Sequence, residues 1–121
     1  MELEAMKKAV VDALEDIKAL DITVLDVSKL TSITSCMIIA SATSTRHAKS
    51  LAHNVQVKLR ENGIAPTGVE GEQEGEWVLV DLGDIVVHIM LQNTRDYYNL
   101  EQLWGAAEGR RLTLAGKQPA A

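Results

Sequence analysis

The three histidines are the side chains best suited to metal or acid–base chemistry, but their spacing does not place them in one site. His47 and His53 lie six residues apart on one predicted helix. Six residues turn a helix by roughly 240°, so these two rings point apart, unlike the i, i+4 pair of a helical zinc site. His88 lies on a predicted strand, where we expect a packed, hydrogen-bonded ring.

Glutamates alternate through a glycine-containing loop, at positions 70, 72, 74 and 76. Alternate residues of a strand share a face, so Glu70 and Glu72 could in principle hold a divalent cation. A solvated acidic loop accounts for the same pattern, and it is the interpretation that we favour. The sequence therefore predicts no metal site and no cofactor.

Hydroxyl side chains gather where a predicted strand meets a helix, around Ser44. The N–H groups at a helix start could hold a phosphate. However, this segment lacks the glycine that would allow a phosphate to approach the backbone closely. We expect Ser44 to be the N-cap of that helix. Cys36, the only cysteine, lies in an apolar run and is expected to be a buried thiol. No catalytic residue is predicted.

The composition suits a single domain that is not a general nucleic-acid binder. The 121 residues carry a net charge of −5, whereas broad binding to a phosphate backbone needs a basic surface. An acidic protein can still dock on a basic protein by charge complementarity. The N-terminus has no apolar signal-peptide region, and no stretch approaches transmembrane length, so we expect a reducing, cytoplasmic location.

Helices and strands that would position these residues follow from the hydrophobic spacing. Apolar residues recur at helical intervals from Leu3 to Leu20, and again from Ala48 to Leu59, where Ser44 as N-cap and Gly63 after the last turn mark the ends of the second helix. Residues 22–27 and 36–41 are typical of strands, and 67–70 could form a short one. A strand, an N-cap and a helix in direct succession indicate the α/β class.

The clearest local signal is a β-hairpin, in which residues 76–82 and 85–91 flank the turn pair Gly83-Asp84. A two-residue turn places an aliphatic set, with Val80 opposite Val87, on the face that should point to the core. The opposite face mixes a Trp, a Met, a His and a carboxylate, and consists of Trp77, Leu79, Asp81, Val86, His88 and Met90. We expect it to be covered by a helix with polar ends or offered to a partner.

A final helical segment is predicted from residue 94 to 104, and it contains both tyrosines and one tryptophan. Closing the core accounts for its apolar side chains, whereas Tyr, Trp and Arg also dominate interface hot spots. Both interpretations can hold together, with Leu103 inside and Tyr98 outside. The small, polar residues that follow predict a flexible tail at 105–121 after a domain at 1–104.

Five stretches together carry a resemblance: 31–34 (TSIT), 44–47 (STRH), 69–72 (VEGE), 76–88 (EWVLVDLGDIVVH) and 95–104 (RDYYNLEQLW). In order and spacing they resemble the Iojap-related ribosomal silencing factors. The Trp-to-His hairpin and the Tyr-x-Leu-Glu-x-Leu-Trp ending make the match specific. Ser35 is a departure, because the family usually has Asp there.

The resemblance implies a mixed β-sheet of about five strands flanked by helices, similar to the nucleotidyltransferase fold. It implies binding to the large-subunit protein conventionally numbered fourteen, at the intersubunit face, where the bulk of the factor stops the small subunit from docking. Translation would then fall during slow growth or starvation. The free protein would be a homodimer, with no membrane partner and little or no direct nucleic-acid binding.

We hypothesise that the ribosomal contact combines the mixed hairpin face with the aromatic segment, and consists of Trp77, Leu79, Asp81, His88, Met90, Tyr98, Leu100 and Glu101. Trp77 would anchor the contact, and Asp81 and Glu101 would face basic residues of the partner. The alternative is a nucleotidyltransferase-like enzyme or nucleotide-binding protein. Such enzymes use a Gly-Ser helix start and an Asp-x-Asp pair, and this sequence has neither, with Glu70-x-Glu72 as the nearest substitute.

Overall fold

The computed structural model describes residues 1–100, 102 and 112–113. In chain order its elements are α1 (Leu3–Asp16), β1 (Leu20–Asp26), β2 (Cys36–Ala42), α2 (Thr45–Glu61), β3 (Gly68–Glu70), β4 (Trp77–Asp81), β5 (Ile85–Leu91), α3 (Gln92–Tyr98) and β6 (Leu112–Thr113).

All described strands form one mixed sheet in the order β3-β4-β5-β2-β1-β6. The central pair, β2 and β5, is parallel, and the other neighbours are antiparallel. A parallel pair needs a crossover connection, which here includes α2. The predicted mixed sheet with flanking helices is confirmed, with six strands rather than about five because the two-residue β6 extends one edge.

The main core lies between one face of this sheet and the helices α1 and α2. Both helices end in a Schellman motif, in which a residue with positive φ reverses the chain and its neighbour caps the last turn. In α2 this residue is Gly63, as predicted, and the N–H of Ile64 donates to Leu59. In α1 it is Lys18, so that helix stops at Asp16 and does not reach the predicted Leu20.

The predicted hairpin register is confirmed, with Trp77 opposite Met90, Leu79 opposite His88 and Asp81 opposite Val86. The aliphatic face of the hairpin is fully buried in the main core. The opposite face joins a smaller apolar cluster, composed of Leu25, Val27, Met37, Ile39 and Met90, with Trp77 and Leu100 packed against it. The hairpin therefore separates two cores of different size.

The last helical segment differs from its prediction. Helix α3 ends at Tyr98 because Asn99 takes a left-handed conformation, with φ of 50°, and its N–H donates to the Arg95 carbonyl. Leu103 and Trp104 lie outside the described residues, as does most of the predicted tail. Within the tail range, residues 112–113 pair with β1 as β6.

Candidate partner-binding face

The face of the sheet turned away from α1 and α2 holds most of the predicted contact residues. We call the residues Trp77, Leu79, Asp81, Val86, His88 and Met90 the hairpin face. Three residues on adjacent strands form the central row of this side of the sheet: Ile39 on β2, His88 on β5 and Leu79 on β4. Trp77, Leu79 and Asp81 are half-buried on β4, whereas His88 and Met90 on β5 are buried. Accessible surface is therefore concentrated on the β4 side.

Trp77 is bound to His88 across the hairpin. The indole Nε1–H donates to His88 Nδ1 at 2.9 Å, and the ring centroids are 5.8 Å apart. The two residues are diagonal neighbours on antiparallel strands, a separation that aromatic side chains can span. The hydrogen bond holds the indole over the sheet.

An aromatic cluster extends from Trp77 onto α3. The Tyr98 ring lies 4.7 Å from Trp77 between centroids, and Tyr97 meets Tyr98 edge-on at 4.9 Å. Both tyrosines remain accessible, with 82% of Tyr97 and 53% of Tyr98 exposed. These three residues, which we call the aromatic cluster, form an apolar patch beside the hairpin face.

Helix α3 is fastened to the sheet by the buried Arg95, which is only 5% exposed. Its guanidinium donates to the Asp21 carbonyl at 2.7 Å, to Ser41 Oγ at 2.9 Å and to Thr23 Oγ1 at 3.1 Å. Ser41 in turn donates to Gln92 at 2.9 Å. These acceptors lie on β1, β2 and α3. The network therefore fixes the position of α3, and of its two tyrosines, relative to the sheet.

A shallow pocket of about 400 Å³ opens between the aromatic cluster and the end of the hairpin. It is lined by Glu76, Asn93, Thr94, Tyr97 and Tyr98. Glu76 is exposed, so it supplies a carboxylate next to two aromatic rings. Such a pocket suits a cationic side chain, since carboxylates and ring faces both attract cations.

Burial dominates the electrostatics of this face. His88 is 6% exposed, and desolvation lowers its pKa from 6.5 to about 4. The ring is therefore neutral at physiological pH. Its Nδ1 must be unprotonated to accept the hydrogen bond from Trp77. Asp81 is engaged locally, because its Oδ1 accepts the N–H of Gly83 in the hairpin turn at 2.9 Å.

The other candidate sites do not assemble. Among the described residues, no group of three or more His, Cys, Asp or Glu could hold a metal ion. Glu72 instead accepts a bond from Gln56 at 3.5 Å. Cys36 is buried, and desolvation raises the pKa of its thiol to about 11. In the part of the chain that the structure describes, no helix is long and apolar enough to cross a membrane.

The start of α2 is occupied by its own side chains. Ser44 accepts the His47 N–H at 3.0 Å, which confirms the predicted N-cap. The His47 ring accepts the Thr43 N–H at 2.9 Å and bonds the Ile17 carbonyl at 2.6 Å. A phosphate at this helix start would have to displace these contacts.

The structure brings seven of the eight predicted contact residues to one side of the sheet, since Leu100 is half-buried in the same cluster. The eighth, Glu101, lies outside the described residues. Sequence reasoning missed Tyr97 and Glu76 as accessible neighbours and Arg95 as the anchor of α3. The position of Tyr97 in the predicted aromatic segment could have identified it as a contact residue. No local sequence pattern could have identified the acceptors of Arg95.

Comparison with known proteins identifies the family. The family model for RsfS, "Ribosomal silencing factor during starvation", matches residues 1–120. A ribosomal silencing factor RsfS of Chromobacterium violaceum is 55% identical over 105 residues, covering 87% of this chain and 86% of that protein. The RsfS of Bacillus subtilis is 37% identical over 107 residues, covering 88% of this chain and 91% of its own.

A solved structure agrees with these sequence matches. A crystal structure of a Chromobacterium violaceum protein superposes with a TM-score of 0.86 at 50% identity, covering 99% of this chain and 92% of that one. The small mixed α/β fold is thus that of a known group of ribosomal silencing factors. This chain belongs to the RsfS family of ribosomal silencing factors.

Proposed function

We propose that this protein binds the large ribosomal subunit through the hairpin face and the aromatic cluster, and that it blocks joining of the small subunit by its bulk. The observation that carries the proposal is the clustering of Trp77, Tyr97 and Tyr98 on one accessible surface. The whole sequence has only two tryptophans, two tyrosines and no phenylalanine. A chain that builds its core from aliphatic residues has placed three of its aromatic rings where a partner can reach them.

Energetics support this surface as an anchor. Trp and Tyr bury much area at small entropic cost, and truncation of a hot-spot residue typically weakens binding by about 2 kcal/mol or more. Trp77 is held on two sides, by His88 and by Tyr98. An anchor that is ordered before binding loses less conformational entropy when the complex forms.

Charge supports a basic protein as the direct partner. Glu76 lines the pocket beside Tyr97 and Tyr98, and Asp81 lies on the hairpin face. We propose the large-subunit protein conventionally numbered fourteen, with a cationic side chain seated in this pocket. Direct contact with ribosomal RNA would be minor, since the net charge of −5 disfavours phosphate binding.

The proposed mechanism requires no catalysis. A folded domain of 13.2 kDa on the intersubunit face would occupy space that the small subunit needs. Repression would then scale with occupancy of the large subunit. The free protein would be a homodimer, and if large subunits convert it into bound monomers, the dimer and the ribosome share a surface.

Co-sedimentation with isolated ribosomal subunits tests the proposal. We expect the protein to migrate with the large subunit and not with the small one. Tyr97→Ala should reduce the bound fraction without unfolding the protein, since this ring is mostly exposed. Val57→Ala, an exposed apolar residue on α2, is the matched control and should bind normally. Failure of the parent protein to co-sediment at low salt would reject the proposal.

A further inference from the structure

We propose that His88 is a positioning residue, which orients the Trp77 indole for the partner and does not itself contact the partner. This inference deepens the proposed function and rests on it for one of its two readouts. It reassigns His88, which the sequence suggested as part of the contact surface.

The direction of the hydrogen bond assigns the tautomer of His88. An indole nitrogen can only donate, so His88 Nδ1 must accept at the observed distance of 2.9 Å. The single proton of the neutral imidazole is therefore on Nε2. His88 consequently acts toward Trp77 as a fixed acceptor, one whose position is set by strand β5.

Among the described residues, the other nitrogen of His88 makes no compensating contact. His88 Nε2 is buried and has no hydrogen-bond partner among the residues that the structure describes. A buried donor without an acceptor typically destabilises a fold by about 1–3 kcal/mol. An aliphatic residue in this central row, like its neighbours Ile39 and Leu79, would avoid that penalty. However, an aliphatic residue at this position would have no acceptor for the Trp77 N–H.

The other restraints on Trp77 are non-directional, namely its packing against the smaller apolar cluster and its contact with Tyr98. Trp77 is half-buried near the end of β4, and the Tyr98 ring contacts one of its sides. The tilted contact with Tyr98, at an interplanar angle of 49°, and the apolar packing restrict the indole, but neither is a directional bond that chooses between its two flipped orientations. The bond from Nε1 to His88 does choose, because only one orientation directs the N–H at Nδ1. The half-buried indole then keeps one defined orientation on the sheet.

Two isosteric substitutions separate the acceptor from the packing. In His88→Asn, the side-chain oxygen replaces Nδ1 at the same distance from the backbone. In His88→Leu, a methyl group replaces it with nearly the same shape and no acceptor. Both variants lose the rest of the ring, so both leave a similar cavity. Differences between the pair therefore report on polar contacts of the side chain and not on lost volume, and the bond to Trp77 is the polar contact that His88 makes.

The first readout is the indole N–H signal of Trp77 in nitrogen-15 NMR, which needs no ribosome. Trp77→Phe assigns the signal. In His88→Leu we expect the Trp77 signal to shift and to exchange faster with water, and in His88→Asn to stay near its parent position. An unchanged Trp77 signal in His88→Leu would overturn the proposal.

The second readout is affinity for isolated large subunits. An indole that His88 no longer holds must be ordered when the complex forms, and immobilising one side chain corresponds to about a three- to tenfold loss of affinity. His88→Leu should therefore bind that much more weakly, and His88→Asn should recover most of the loss. Equal affinities for the two variants would also overturn the proposal. If the parent protein does not bind large subunits, the proposed function fails, while the NMR comparison still decides the positioning role.

A measurement on the parent protein covers the case in which His88→Leu does not fold. The proposal requires a scalar coupling between Trp77 Nε1 and His88 Nδ1 and a proton on His88 Nε2. A His88 ring protonated on Nδ1 at neutral pH would contradict the assigned hydrogen bond directly.

Discussion

The guanidinium of Arg95 donates to the hydroxyl of Ser41 at 2.9 Å inside the protein, and this contact joins α3 to the central strand β2. Tyr97 and Tyr98 follow Arg95 on the same short helix. The accessible aromatic cluster therefore depends on a polar network that is itself buried.

Replacement of Arg95 should destabilise the whole protein. Arg95→Ala removes the donor to the Asp21 carbonyl and to the buried hydroxyls of Thr23 and Ser41, which we expect to lower the free energy of unfolding by about 3 kcal/mol. Urea denaturation measures the change. Arg60→Ala, on the exposed side of α2, is the control and should stay within about 0.5 kcal/mol. An Arg95→Ala protein as stable as the control would show that the network contributes little.

Two glycines with the same backbone conformation should respond differently to alanine. Gly63 and Gly71 have φ of +81° and +82°, so both substitutions carry a left-handed penalty of about 1–2 kcal/mol. A Cβ at Gly63 meets nothing within 4 Å, whereas one at Gly71 would overlap the carbonyl oxygen of Trp77. Gly71→Ala should therefore be clearly the less stable in thermal unfolding and should displace Trp77. Equal melting temperatures would contradict this packing.

His88 should make stability depend on pH below neutrality. Its pKa is about 4 in the folded protein against 6.5 for the free side chain, so between these values the unfolded chain binds a proton that the folded one does not. The free energy of unfolding should therefore fall as pH drops through this window, by up to about 3 kcal/mol. Above pH 6.5 the ring is neutral in both states, and His88 no longer makes the free energy of unfolding depend on pH. Denaturation curves of His88→Asn at the same pH values supply the reference. Parallel pH profiles for the two proteins would argue against a buried, neutral ring.

Cys36 should be unreactive in the folded protein. Its side chain is buried and the pKa of its thiol is raised to about 11, so almost no thiolate exists at neutral pH. We expect no reaction with a thiol reagent such as dithionitrobenzoate until a denaturant is added. Rapid labelling of the native protein would mean that β2 opens easily.

The hairpin face could be predicted from sequence because its determinants are local. Gly83 and Asp84 set a two-residue turn, and that turn alone fixes which residues face each other, including Leu79 with His88. The diagonal approach of Trp77 to His88 follows from the same register. Helix α2 was predictable for a similar reason, since Ser44 and Gly63 mark its ends.

The position of the aromatic cluster could not be predicted in the same way. Arg95 bonds to groups that lie 54 to 74 residues earlier in the chain, and no pattern around residue 95 identifies them. The end of α3 depends on Asn99, whose left-handed conformation interrupts a segment with continuous helical spacing. Side-chain burial also required the structure, because alternation along β4 and β5 does not reveal that Trp77 stays accessible while His88 does not.

The role of Trp77 in silencing can be measured by subunit joining with and without this side chain. Purified large and small subunits are mixed with the protein, magnesium is restored, and formation of whole ribosomes is followed by light scattering. We predict that the parent protein prevents joining in proportion to its occupancy of the large subunit. Trp77→Ala, once shown to be folded, should allow joining at the same concentration. Normal joining with saturating parent protein, or equal inhibition by folded Trp77→Ala, would contradict the account.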